Sequence, residues 1–341
     1  MLKPYLKRVI DGEALSRDEM AAALGFVMAG EATAAQIGAF MVAMRMKGET
    51  VEEIVGAATA MRARCTPIRT PAGIVVDTCG TGGDHSNTFN ISTTAAFVLA
   101  GCGAIVAKHG SHSNTSASGS ADVLKELGVN ITAAPDVVER CLEACGMGFL
   151  YAPALHGAMK HAVAPRKELG IRSFFNVLGP LSNPAAAQFQ LIGVYDKALI
   201  PILVPALGAL GLKGAMVVHG EDGLDELSTC APTHVGEWRD GAAHYYTLDA
   251  RELGFPRAQR EDLLGGSPAE NAAIAQALFM GRPGPTRDIV VLNAAAAVLI
   301  AGLAPDWPAA IAAAEASIDK GHANAKLRAL ACASNALPTE V

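Results

Sequence analysis

The chain has 341 residues, of which 51% are hydrophobic and 18% charged, with a formal net charge of −6. That length suffices for one large core or two domains, and an acidic balance without any Lys/Arg cluster excludes a general nucleic-acid surface. Every long apolar run is broken by Gly, Pro or polar residues, so no membrane span is expected. Residues 1–65 read as helical throughout. Ser16 and Glu19 form a capping box before a helix over Met20–Met28. Thr33 begins a second helix through Arg45, with Ile37, Phe40, Met41 and Met44 on one face. Thr50 and Glu53 cap a third over Val51–Arg64. Arg64 to Gly73, carrying Pro67 and Pro71, reads as a linker.

The stretch from Val75 to Leu127 reads as strand, glycine turn, helix, strand, polar loop, helix. Gly80, Gly82 and Gly83 permit a tight turn with exposed amides, and Asn90-Ile91-Ser92-Thr93 leads into a helix over Thr94–Ala100. The second loop follows Ala107-Lys108-His109-Gly110, holds five serines and a threonine, and enters a helix over Ala121–Leu127. A helix start leaves N–H groups unpaired and carries partial positive charge, so each junction is a seat for phosphate. Ser92 and Thr93 add hydroxyl donors, and Lys108 adds a full positive charge. Neither loop is a Walker or a dinucleotide-binding glycine motif. Asp84 is out of place among phosphate donors; a sugar hydroxyl, a metal-bound water or a cationic clamp would each explain it.

A helix over Asp136–Cys145 and a strand over Phe149–Tyr151 follow. Between 153 and 184, Pro153, Pro165, Pro180 and Pro184 punctuate short helices. Strands are expected at Gln190–Val194, Gly214–Val218, Leu227–Thr229, Thr233–Trp238 and Ala243–Leu248, with a helix over Ala198–Leu210. Helices over Asn271–Met280, Thr286–Ala301, Pro308–Asp319 and Ala323–Ala333 end the chain. The alternation predicts an α/β domain with a mainly parallel central sheet behind a small all-helical N-terminal domain. Asp225-Glu226, an acidic pair on a glycine turn, reads as a solvated loop in isolation. In a chain with a polyphosphate site it supplies hard oxygen ligands for Mg²⁺. Seven cysteines without a CxxC pair or a signal peptide ahead of them point to reduced thiols in a cytoplasmic protein.

GTGGD, TFNIST, KHG and SGSAD, with Arg45–Thr50, Arg166–Arg172, Phe175–Pro184 and Val218–Glu226, resemble the anthranilate phosphoribosyltransferases of tryptophan biosynthesis over nearly the whole chain. The resemblance implies a helical domain of residues 1–70 plus about 160–185, hinged to an α/β domain of 71–159 and 186–341. It also implies a homodimer through the helical domains. Phosphoribosyl pyrophosphate (PRPP) would lie on Gly80, Gly83, Asp84, Thr88, Asn90, Ile91, Ser92, Thr93, Lys108, Ser116 and Ser120. Anthranilate would meet Gly80, His109, Ser111 and Arg166, and Mg²⁺ would be held by Ser92, Asp225 and Glu226. No general base is assigned. The acceptor half departs from the family pattern: Ser111 and His112 stand where an asparagine and an arginine are usual, and His85, Gly157 and the position of Pro165 also differ. A paralogue with another aromatic acceptor, and a nucleoside phosphorylase, are therefore the competing readings.

Overall fold

The structure, a computed structural model, describes residues 1–113 and 117–336. α1 (Lys3–Ile10) precedes α2 (Arg17–Met28), α3 (Ala34–Lys47) and α4 (Val51–Arg62). Ser16, Thr33 and Thr50 each accept an amide of the following turn, while Glu19, Gln36 and Glu53 reach back to the cap. Each box satisfies N–H groups that a helix start leaves bare. Glu53 is fully buried and also takes the Leu15 amide at 2.9 Å and the Lys47 ammonium at 2.8 Å, which ties the ends of α2, α3 and α4 together.

From Val75 strands and helices alternate through β1 (Val75–Gly80), α5 (Ile91–Gly101), β2 (Ile105–Gly110), α6 (Ser120–Glu126), α7 (Pro135–Cys145) and β3 (Met147–Tyr151). The helices α8 (Ala152–Leu155), α9 (Lys160–Leu169) and α10 (Phe175–Leu181) interrupt the alternation. It resumes with β4 (Phe189–Gly193), α11 (Ile200–Ala209), β5 (Gly214–Gly220), β6 (Thr233–Arg239) and β7 (Ala242–Leu248). The sheet runs β3-β2-β1-β4-β5-β6-β7, parallel as far as β5 and antiparallel beyond it. The mainly parallel sheet behind a helical N-terminal part is the architecture the sequence leads one to expect. From β1 the chain winds to one side through β2 and β3, then returns to the other side at β4. Ligands of open α/β sheets bind at such a reversal, beyond the carboxyl ends of the strands. Here those ends are Gly80 and Gly193.

α12 (Pro268–Phe279), α13 (Pro285–Ile300), α14 (Trp307–Asp319) and α15 (His322–Asn335) complete the chain, and α13, α14 and α15 all pack on α5. α5 is buried from Thr93 to Ala100, and the buried alanines 294–297 of α13 let the two helices approach closely. At Gly101 a Cβ would fall 2.1 Å from the Ser317 hydroxyl and 3.0 Å from the Ala323 nitrogen, so only glycine fits. A second core joins Met20, Leu24, Phe40 and Ile54 of the helical part to Leu203 and Leu207 of α11 and to Ile192 and Val217 of the sheet. α9 packs on α2 and α3, and α10 on α4. Among the described residues no helix is long and apolar enough to cross a membrane.

Three local expectations are corrected. Leu227–Thr229 is a loop, because side chains take its backbone groups: the Leu227 amide donates to Asn293 Oδ1 (3.0 Å) and the Ser228 amide to Thr233 Oγ1 (3.0 Å). Pro165 does not end a helix but lies inside α9. α5 starts at Ile91, three residues before the expected position.

Candidate active site

The two polar loops meet at the carboxyl ends of β1 and β2. Asn90, just ahead of α5, donates to the Ser118 carbonyl (3.1 Å), and its own oxygen accepts from the Ser118 hydroxyl (3.1 Å) and the Asn271 amide (3.0 Å). That triangle joins the first loop to the second and to α12. Ile91 and Thr93 are buried, and the Ile91 amide is taken by the Phe89 carbonyl at 2.7 Å, so of the two only Thr93 keeps a backbone amide for a ligand. Thr88 shares a 3.2 Å hydroxyl contact with Ser86, and Ser120 donates its hydroxyl to the Ser111 carbonyl (3.2 Å). Ser116 lies outside the described residues.

Beneath the loops two ionisable side chains are buried in the sheet. Asp77, fully buried in β1, accepts the His109 amide (3.1 Å), Asn183 Nδ2 (2.8 Å) and Gln190 Nε2 (3.3 Å). Lys108, 1% exposed, donates its ammonium to the Thr78 carbonyl. Burial pushes the Asp77 carboxyl up and the Lys108 ammonium down, and their mutual attraction opposes both shifts. The lysine expected to face the anion thus lies under the first loop as a fixed positive charge.

The acidic pair closes the site from β5. Asp225 Oδ2 accepts the Gly82 amide at 3.0 Å, and Glu226 Oε1 accepts the Ser92 amide at 3.1 Å. A Cβ on Gly80 would fall 2.6 Å from Asp225 Oδ2, and one on Gly193 only 1.5 Å from the Asp225 carbonyl oxygen. Glycine at both strand ends is therefore a condition for seating this loop. Asp84 joins the group, taking the Asp225 amide at 3.4 Å. Burial, with repulsion from Asp84 and Glu226, pushes Asp225 well above the usual carboxylate range. Burial raises Glu226 to about 7. Crowded carboxylates with raised pKa values fit a divalent cation, which would relieve their repulsion. Among the described residues no group of three or more His, Cys, Asp or Glu forms a closed cage. A site of one or two carboxylates completed by substrate phosphates suits Mg²⁺.

On the acceptor side, His109 Nδ1 lies 3.0 Å from the Gly179 carbonyl, and His109 Nε2 lies 3.1 Å from His156 Nε2. A carbonyl only accepts, so His109 carries its proton on Nδ1 and His156 donates to the bare nitrogen. Arg166 stacks on Phe175 of α10, 5.2 Å from the ring centroid. Burial pushes the Arg166 guanidinium down, and among the described residues no carboxylate pairs with it. α10 carries both Phe175 and Gly179, and so links Arg166 to His109. His112 does not stand free: its Nδ1 is 2.5 Å from Asp122 Oδ1, and Asp122 Oδ2 also accepts the Gly119 amide at 2.8 Å.

Asp77 and Asn271 were not singled out by sequence, and Ser118 and Arg172 stood in the SGSAD and Arg166–Arg172 motifs without a role, although a carboxylate inside the apolar run Val75-Val76-Asp77 is itself a signal. Arg172 donates to the Gly83 carbonyl and stacks on Tyr195.

This two-part architecture has known counterparts. Residues 72–324 match the glycosyl transferase family a/b domain, and residues 3–65 match the helical bundle domain of the same family. Fold and site thus define a glycosyl transferase. An anthranilate phosphoribosyltransferase from Moorella thermoacetica is 53% identical over 330 residues, 97% of each chain. The Thermus thermophilus anthranilate phosphoribosyltransferase structure superposes with a TM-score of 0.92 at 39% identity, over 97% of this chain and 99% of that one. The Saccharomyces cerevisiae enzyme in complex with PRPP and Mg gives 0.90 at 29% identity, over 98% of both chains. The chain belongs to the anthranilate phosphoribosyltransferase family.

Burial holds His109 near pKa 3 and His156 near 4, against 6.5 for an exposed histidine. Below that value the unfolded chain takes up protons that the folded pair refuses, so the stability is complete above pH 6.5 and drains as pH falls toward 4. Asp225 and Glu226 shift in the opposite sense, so the histidines are isolated by comparison: in urea unfolding, the stability advantage of the wild type over His156→Gln should shrink between pH 7 and pH 5. A difference that stays constant with pH would mean that burial does not hold the His156 proton off.

Proposed function

We propose that this chain transfers the phosphoribosyl group of PRPP to the amine of anthranilate, releasing pyrophosphate. The observation that carries this reading is the clasp of Asp225 and Glu226 on the Gly82 and Ser92 amides, which puts metal-type ligands against both ends of the first phosphate-type loop. In the reaction the C1′–O bond to diphosphate breaks and a C1′–N bond forms, and the new anilinium sheds its proton to solvent. The difficulty lies in a charged leaving group and a cation-like ribosyl centre, so positioning and electrostatics do most of the catalysis. Amides of the glycine loop and of the α5 start hold the phosphates, above the fixed charge of Lys108. Mg²⁺ on Asp225, Glu226 and Ser92 would neutralise the diphosphate. Arg166, stacked on Phe175 and without a carboxylate partner among the described residues, offers a planar fork to the anthranilate carboxylate. His109, held near pKa 3, is too weak a base to be needed for the amine.

Serine has one hydroxyl where the family's asparagine has two donors and an acceptor, so the pocket beside Ser111 loses a contact. His112 is engaged by Asp122, so it does not stand in for the absent arginine. The domain limits of 1–70 with 160–185, and a homodimer, extend the same reading. Ile10 and Met46, 64% and 83% exposed, border an apolar groove of about 990 Å³ between α1, α3 and α9 that a second copy would cover.

The test is turnover with PRPP, Mg²⁺ and a panel of aromatic amines. Anthranilate should be consumed with a high Michaelis constant, and Ser111→Asn should lower that constant without changing donor affinity. If another aromatic compound is ribosylated and anthranilate is not, the acceptor is wrong. Asp225→Asn with Glu226→Gln should abolish turnover while the ligand-free melting temperature is kept or raised; full activity would remove the pair from the site. Light scattering should report a dimer that Met46→Glu splits into monomers, and a monomeric wild type would refute the proposed interface.

A further inference from the structure

Successive peptides of the glycine loop are held from outside it. The Thr81 amide donates to the Gly193 carbonyl (2.8 Å), and the Thr81 hydroxyl accepts the Tyr195 amide (3.1 Å). The Gly82 amide goes to Asp225. These grips all come from the ends of β4 and β5. The next one does not. The Gly83 carbonyl is held by the guanidinium of Arg172, which lies just beyond α9, the helix that carries Arg166. The same guanidinium lies over the Tyr195 ring, 4.3 Å from its centroid. Tyr195 follows β4 in the turn that also fixes Thr81. Glycine loop, arginine and tyrosine therefore form a closed circuit, in which the arginine is the only member from the acceptor-side segment.

We propose that Arg172 is a positioning residue that couples the acceptor-side segment to the donor loop, by anchoring the Gly83 carbonyl while stacked on Tyr195. This rests on the functional reading given above. A carbonyl oxygen turned toward a diphosphate repels it; held on Arg172, that oxygen is kept to the arginine's side and away from the donor. Stacking fixes the plane of the guanidinium, which lets one side chain serve both contacts. Lysine, a point charge on a flexible stem, cannot do both.

The test compares the wild type with Arg172→Ala, Arg172→Lys, Tyr195→Leu and the double variant Arg172→Ala/Tyr195→Leu. Measured are calorimetric PRPP affinity with Mg²⁺ and no acceptor, kcat, the Michaelis constant for each substrate, and melting temperature. Arg172→Ala should weaken donor binding by about tenfold, the loss of one charge-assisted hydrogen bond. Arg172→Lys should restore only part of that affinity. Tyr195→Leu should weaken donor binding in the same direction, and the double variant should bind no worse than the weaker single variant, because the two side chains act as one unit. Donor affinity within about twofold of wild type in Arg172→Ala overturns the proposal, and so does a lowered melting temperature with unchanged Michaelis constants. Additive losses in the double variant overturn it as well. A wild type that neither binds PRPP nor turns it over overturns the functional reading and this inference with it. A functional wild type beside an indifferent Arg172→Ala overturns only the inference.

Discussion

The contacts of Asp225 and Glu226 with the amides of Gly82 and Ser92 join parts of the chain more than a hundred residues apart in sequence, and the geometry of the site depends on them. They are possible only because β1 and β4 end side by side in glycines that leave the Asp225 backbone room to approach. The arrangement crowds carboxylates, whose pKa values burial and mutual repulsion raise, beside the loops proposed to take an anion. Lys108, one of the few opposing charges nearby, is sealed beneath the loop with Asp77. Its field is thus local and shielded from solvent ions, which a flexible surface lysine could not achieve. This explains how an acidic protein hosts an anion site without a basic surface.

Much of the fold and part of the site were legible in the sequence, for identifiable reasons. Capping boxes at Ser16, Thr33 and Thr50 are local signals, and they mark the true helix starts. The glycine and serine loops were readable because phosphate-binding chemistry is written in consecutive residues. Asp77 escaped notice because its partners, Asn183 and Gln190, are over a hundred residues away. Leu227–Thr229 has strand-like composition, yet Asn293 and Thr233 capture its backbone before any ladder can. Pro165 looked like a stop, but packing of α9 on α2 and α3 outweighs the local cost of an interior proline.

The two halves of the site differ in what holds them. The half proposed for the donor is tied by backbone amides and buried polar side chains, the half proposed for the acceptor by aromatic stacking and a histidine pair. His109 and His156 are dry, neutral and fixed in complementary tautomers by the Gly179 carbonyl. They therefore present shape and a hydrogen-bond pattern rather than charge, and the cation on that side is Arg166. The departures at positions 111 and 112 fall on the loop between β2 and α6, away from this scaffold. They can change selectivity without disturbing the fold beneath.

α5 is fixed along its whole length, with the alanine face of α13 alongside it. Its last turn is locked by Gly101, which has no room to shift against Ser317 and Ala323, and by the Ser317 hydroxyl on the Val98 carbonyl (2.8 Å). The far end of the same helix is Asn90–Thr93, the stretch proposed above to face the phosphates. A rod clamped at its tail is held at its head as well, so packing orients the helix start before any ligand arrives. Water around a diphosphate must reorient with each change of charge, whereas this helix end has settled its orientation during folding. On the function proposed above, the small-residue packing at the rear of the molecule, some ten residues from the site, would lower the reorganisation energy of the reaction at its front.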